Sequence, residues 1–176
     1  IEDIIVFGSL VRGKEKPEDI DIIVLFKQDV VKEVEYKIRK EIEKIVKNVS
    51  IISKTQTTIF DPAFDARESI LFEGKSLLTG KTLGEQYGFT SIGMFKCHFD
   101  GWNKLKKTKY YYALNGRGAQ KGIAKELECT KLADGVILVP INKVEPFRSF
   151  LEFWQVEYIY IPTLIPERLN KKKLLE

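Results

Sequence analysis

Two cysteines, one histidine and one methionine are all that the 176 residues hold of these types. Cys97 and Cys129 fall far short of a disulfide framework, and such a chain is expected in a reducing cytoplasm. The single histidine, His98, excludes zinc sites built on several histidines. Cys97, His98 and Cys129 contain no Cys-x-x-Cys pair, so structural zinc is not expected. No run of 18 apolar residues exists, which excludes a membrane-spanning helix, and no membrane partner is expected. No secretory signal opens the chain. It begins with Ile rather than Met, so the N-terminus reads as trimmed or incomplete.

What is present describes a globular protein. Hydrophobic residues make up 44% and charged residues 31%. A chain of this length forms about one domain with a small appendage. It buries roughly 70% of the surface of its unfolded form, so its core needs no covalent staples. Abundant Lys, Glu and Ile beside scarce Met, His and Cys resemble a thermophile's composition. Charge is uneven. Residues 1–80 carry 13 basic and 15 acidic side chains, while residues 81–176 carry 16 and 10. Residues 96–131 alone carry nine basic and three acidic. The second half is therefore either a site for an acidic partner or a solvated basic surface.

The hydrophobic pattern predicts an α+β chain of two parts: a small mixed sheet with helices over 1–80, and a small basic α/β domain over 88–176. Ile4 to Phe7 reads as a buried strand stopped by Gly8-Ser9, and Ile20 to Phe26 as a second. Val31, Val34, Ile38, Ile42 and Ile45 recur at helical spacing. A third strand covers 49–53 and is extended toward Phe60. Asp61-Pro62 reads as a helix start and Gly74 as its end. The glycine-rich stretch 74–90 is the expected boundary. Beyond it, Ile92, Phe95, Phe99 and Trp102 have helical spacing, followed by a basic, aromatic helix over 104–114 and a loop over 115–122. A short helix over 123–128, a strand over 136–139, a helix over 144–154 and a strand over 156–161 complete the chain. Lys171, Lys172 and Lys173 read as a frayed tail.

One stretch carries chemistry. The first strand delivers Gly8-Ser9, Arg12-Gly13 follows, and Asp19-Ile20-Asp21 comes after nine residues that separate it from Ser9. In a strand, alternate side chains share a face, so Asp19 and Asp21 are expected to point the same way. Two convergent carboxylates suit Mg²⁺ or Mn²⁺, which keeps open positions for phosphate and water. Glycine lets a ligand approach the backbone, and the turn's N–H groups and the Ser9 hydroxyl can donate to phosphate.

These residues resemble the signature of the polymerase-beta-like nucleotidyltransferases, especially their small minimal members, over about residues 1–80. The resemblance implies that Gly8 and Ser9 bind the phosphates of an NTP and that Asp19 and Asp21 are catalytic metal ligands. Arg12 falls at the family's Arg-Gly position and is a candidate phosphate partner. Active members usually carry a third acid on a following strand. Here the matching position is Ser50, and the nearest later acid, Asp61, is explained more simply by helix capping. The family's usual first helix is also missing or trimmed. The expected activity is metal-dependent transfer of NMP from an NTP to a hydroxyl acceptor, reduced by the missing acid. The alternative is a catalytically reduced nucleotide- or nucleic-acid-binding module, or an antitoxin-like partner protein.

Weaker signals lie elsewhere. Gly74-Lys75-Ser76 and Gly80-Lys81-Thr82 have the wrong spacing for a P-loop and read as helix cap and loop. Tyr110, Tyr111 and Tyr112 lie among lysines, a pattern that can stack bases and neutralise phosphates. Lys106, Lys107, Lys109 and Arg117 are the candidate contacts to an RNA, DNA or protein acceptor.

Overall fold

The computed structural model describes residues 1–170; the lysines at 171–173 lie outside the described residues. The chain divides into two compact units, with the second beginning at Phe89. No helix among the described residues is long and apolar enough to cross a membrane.

In the first unit, strand β1 (Asp3–Phe7) pairs antiparallel with β2 (Ile20–Phe26). Helix α1 (Lys32–Ile45) leads to β3 (Val49–Thr55), which runs parallel to β2. Helix α2 (Arg67–Glu73) returns the chain to a two-residue strand β4 (Lys75–Ser76) beside β1. A one-turn helix α3 (Leu83–Gln86) follows, started by a capping box between Thr82 and Glu85. The mixed sheet therefore has the order β3-β2-β1-β4.

Both faces of this sheet are apolar, which is why Ile22 to Phe26 reads as an unbroken hydrophobic run. Ile22, Val24, Phe26 and Ile51 pack against Val34, Ile38 and Ile42 of α1. Ile5, Phe7, Ile23 and Leu25 pack on the other face with Ile70 of α2 and Leu83 of α3. Two readings of the sequence need correction. The third strand ends at Thr55, because the Thr55 carbonyl accepts from the N–H groups of Thr58 and Ile59 and turns the chain. Asp61-Pro62 does not start a helix. The Asp61 carboxylate accepts from the Ala63 N–H at 2.8 Å, closing a local turn, and α2 begins only after Ala66.

The second unit opens on strand β5 (Phe89–His98) and helix α4 (Lys104–Asn115). A small hairpin of β6 (Gly116–Arg117) and β7 (Gln120–Lys121) follows, then helix α5 (Ile123–Glu126). Strands β8 (Thr130–Ala133) and β9 (Val136–Pro140), helix α6 (Val144–Phe153), strand β10 (Glu157–Pro166) and helix α7 (Glu167–Asn170) complete it. The antiparallel sheet runs β10-β5-β9-β8. Its core gathers Phe95, Tyr110, Leu114, Val139, Phe147 and Leu151. Here Ile92 and Phe95, spaced as if helical, lie on a strand. Ten register pairs with β10 extend β5, and Phe95 and Cys97 alternate into the core. Gly93 permits this pairing, since a Cβ there would meet Tyr160 and Val144 side chains at 2.8 Å. The β10 strand lies at one sheet edge and carries Pro162 and Pro166; β8 lies at the other and has an irregular register between Lys131 and Ala133.

Candidate active site

The sheet places the signature residues at one end of β1 and β2. Gly8 leaves β1 with φ +81, a left-handed conformation that an L side chain rarely adopts. The chain then folds into a compact turn, in which the Gly8 carbonyl accepts from both Val11 and Arg12 N–H groups. The Ser9 carbonyl accepts from Lys14 at 3.0 Å, closing the loop behind it. Asp19 sits just ahead of β2, and the Asn48 side chain donates to the neighbouring Glu18 carbonyl at 3.0 Å. Asp21 is the second residue of β2, directly opposite Phe7 on β1 and Ser50 on β3.

The Asp21 carboxylate lies over Gly8. A Cβ added at Gly8 would stand 2.8 Å from Asp21 Oδ2. Glycine is thus required here twice, by its backbone angle and by the carboxylate above it. Gly8→Ala is expected to cost about 1–2 kcal/mol from the left-handed backbone alone and to push Asp21 aside. A lower thermal midpoint together with weakened Mn²⁺ binding is the expected result; unchanged values for both would remove this role from Gly8.

Electrostatics tie the group together. Partial burial pushes the Asp21 carboxyl above its ordinary value of 3.8, and the like charge of Asp19 pushes the same way. The Arg12 guanidinium pulls it down, so Arg12 lies within electrostatic reach of Asp21. Two carboxylates that penalise each other's charge form a donor set that a cation relieves. On these grounds Asp19 and Asp21 fit a divalent metal of the hard, oxygen-seeking kind.

Ser50 is the register partner of Asp21 on the parallel neighbour, so a hydroxyl stands beside Asp21 on that strand. Among the described residues no group of three His, Cys, Asp or Glu side chains could hold a metal ion. Asp61 is engaged in its own local turn. The sequence reading missed Glu73. This residue is only 6% exposed, and its Oε2 meets the Arg12 Nη1 at 2.6 Å. Its signal was a lone acid following Ile70-Leu71-Phe72, three positions on from fully buried Ile70 and just before Gly74. A cavity of about 600 Å³ also exists in this unit, but at the Asp3–Leu25 end of the β1–β2 pair, away from Asp21.

In the second unit the four candidate cations divide. Lys106 stands 3.8 Å from the Trp102 ring centroid, Lys107 5.7 Å from that of Phe99, and Arg117 4.8 Å from that of Tyr112. Lys109 is exposed. Of the three consecutive tyrosines, Tyr110 is buried in the core and Tyr112 is 45% exposed. Burial pushes the Cys97 thiol up to about 11 and that of Cys129 up to about 12, so neither is a ready nucleophile or metal ligand at neutral pH.

Residues 1–79 match the family described as Polymerase beta, Nucleotidyltransferase. No curated protein and no solved structure matches the chain.

Proposed function

Starting from residues 1–79 as a nucleotidyltransferase domain of the polymerase-beta type, we propose that this protein binds a metal–NTP complex through the Gly8–Gly13 turn and the Asp19/Asp21 pair. The reaction it serves is transfer of NMP to a hydroxyl acceptor, with low turnover. The observation that carries this reading is the convergence of Gly8, Asp21 and Ser50 at one end of the sheet.

Each residue has a distinct part. The Gly8 to Gly13 turn would offer phosphate oxygens the Ser9 hydroxyl and turn N–H groups other than those of Val11, Arg12 and Gly13, which donate within the turn. Arg12 adds a guanidinium suited to paired contacts with phosphate. Asp19 and Asp21 would hold Mg²⁺ or Mn²⁺, which supplies neutralisation of the triphosphate and of the charge developing on the leaving group. In the transfer, the acceptor oxygen bonds to the α-phosphorus, the bond to the bridging oxygen breaks, and pyrophosphate leaves. The acceptor's proton must go to a base. Ser50, standing beside Asp21, is not basic at neutral pH without a neighbour to activate it. Binding is therefore retained while proton removal is slow.

Incubation with labelled NTPs, Mg²⁺ or Mn²⁺, and RNA or lysate tests this. Saturable metal-dependent NTP binding with weak label transfer is expected. Absence of metal-dependent binding would overturn the reading.

The Ser50 position also supports a second reading, a nucleotide-binding module that has lost transfer and acts by binding an acidic partner through its basic unit. The acceptor, whether RNA, DNA or protein, is assigned to that unit. If the partner is a nucleic acid, each neutralised phosphate releases counterions, and log K falls with log salt by roughly 0.7 to 0.9 per contact. Charge reversal at Lys106, Lys107 and Lys109 is expected to flatten that slope by about two to three such increments. Fluorescence anisotropy with a labelled oligonucleotide at several salt concentrations measures it. A protein that ignores polyanions at low salt leaves this surface merely solvated.

A further inference from the structure

Glu73 is the last residue of α2, and its carboxylate is almost wholly buried. Gly74 after it has no room for a side chain, because a Cβ would collide with the Ile70 carbonyl and press on Ile5. The acid is therefore held at a fixed place against β1. Arg12 rises from the turn that follows Gly8, and its Nη1 meets Glu73 Oε2 at 2.6 Å. Breaking such a pair would leave a buried charge uncompensated. The Arg12 N–H nevertheless donates to the Gly8 carbonyl at 3.2 Å and the Asp21 carboxylate lies over Gly8, so the Arg12 backbone is anchored beside Asp21, and an arginine fork pairs readily with any open carboxylate.

We propose that Glu73 is a positioning residue that keeps the Arg12 guanidinium beside the Asp19/Asp21 pair without letting it neutralise them. The inference rests on the metal–nucleotide reading above. Without Glu73, the guanidinium would turn to Asp21 and take up the oxygens that a cation needs. Glu73 leaves the carboxylates open to the cation.

The test is Mn²⁺ binding to the full chain without nucleotide, followed by electron paramagnetic resonance. Glu73→Gln is expected to weaken Mn²⁺ binding roughly tenfold, the low end of what an opposite charge within about 4–6 Å does to a carboxylate. Arg12→Ala combined with Glu73→Gln is expected to restore it, because the competing cation is gone. A purely structural role predicts otherwise: a lowered thermal midpoint with unchanged Mn²⁺ affinity, or no recovery in the double variant. Either result overturns the proposal. Should Glu73→Gln fail to fold, Glu73→Asp, which keeps the charge, and the double variant carry the comparison; a double variant weaker than Glu73→Asp overturns it. Wild-type protein that takes up no Mn²⁺ would overturn the metal reading instead. The Arg12 Nε–Hε NMR signal of metal-free protein then decides the role of Glu73. A signal that moves in Glu73→Gln, and moves back when Asp19 and Asp21 are also made Asn, supports the placement; one indifferent to Glu73 overturns it.

Discussion

Replacing Asp19 and Asp21 together with asparagine is expected to abolish metal-dependent NTP binding and to leave the fold intact. Even groups that only orient metal ligands cost 10–100-fold in affinity when removed, so loss of both proposed ligands should cost at least about 100-fold. Calorimetric titration of Mg–NTP into wild-type and variant protein measures it. Stability should move the other way. The Asp21 carboxyl is raised above 3.8, first by burial and then by Asp19, so the folded state holds its proton more tightly than the unfolded chain. That preference stabilises the fold below the unfolded value and is lost as pH rises through the folded one. At neutral pH the penalty is fully present, and the asparagine variant escapes it. The variant should therefore melt slightly higher than wild type at pH 7, with the difference vanishing below about pH 4. A variant that binds Mg–NTP like wild type would shift the assignment toward the binding module.

Ser50→Asp is expected to raise the rate of label transfer. Ser50 faces Asp21 across the parallel β2–β3 pair, so a carboxylate introduced there shares a sheet face with Asp21. It would add a third oxygen donor and a group able to accept the acceptor's proton. General-base catalysis contributes typically 10²–10⁴-fold, which sets the scale of the expected gain. A third like charge beside a pair already in conflict should lower the metal-free thermal midpoint, and Mg²⁺ should restore it. Single-turnover transfer from a labelled NTP, with and without the substitution, is the measurement. Fast transfer by the wild-type protein would contradict the role given to Ser50. An inert Ser50→Asp protein would mean that the site departs from an active one by more than this residue.

The parts of the fold set by local periodicity were legible in the sequence. Ile4 to Phe7 and Ile20 to Phe26 are strands, and the α1 helix seats Val34, Ile38 and Ile42. Its expected apolar face was too wide, since Val31 precedes the helix and Ile45 is 85% exposed. Spacing misled where a strand mimics a helix. Residues 92 and 95 lie three apart, yet Gly93 and the long pairing with β10 make that segment extended. Tertiary pairing outweighs local spacing there. The Asp61-Pro62 start failed because an aspartate can satisfy a turn as readily as a helix end. At the site, the pairing of Ser50 with Asp21 follows from the parallel β2–β3 register, which the sequence alone does not align. Glu73 could not be paired with Arg12 from sequence, because 61 positions separate them and only the return of α2 to β1 brings them together.

The edges of the second sheet carry their own consequence. Pro162 and Pro166 lie at positions of like parity on β10, so both missing N–H groups fall on one side of the strand. At the opposite edge, the irregular register of β8 interrupts the ladder between Lys131 and Ala133. An incoming strand on either side would find an interrupted row of donors and acceptors. At high concentration this sheet should thus resist growth into ordered fibrils, even though Tyr158 to Ile161 is an apolar, β-forming segment.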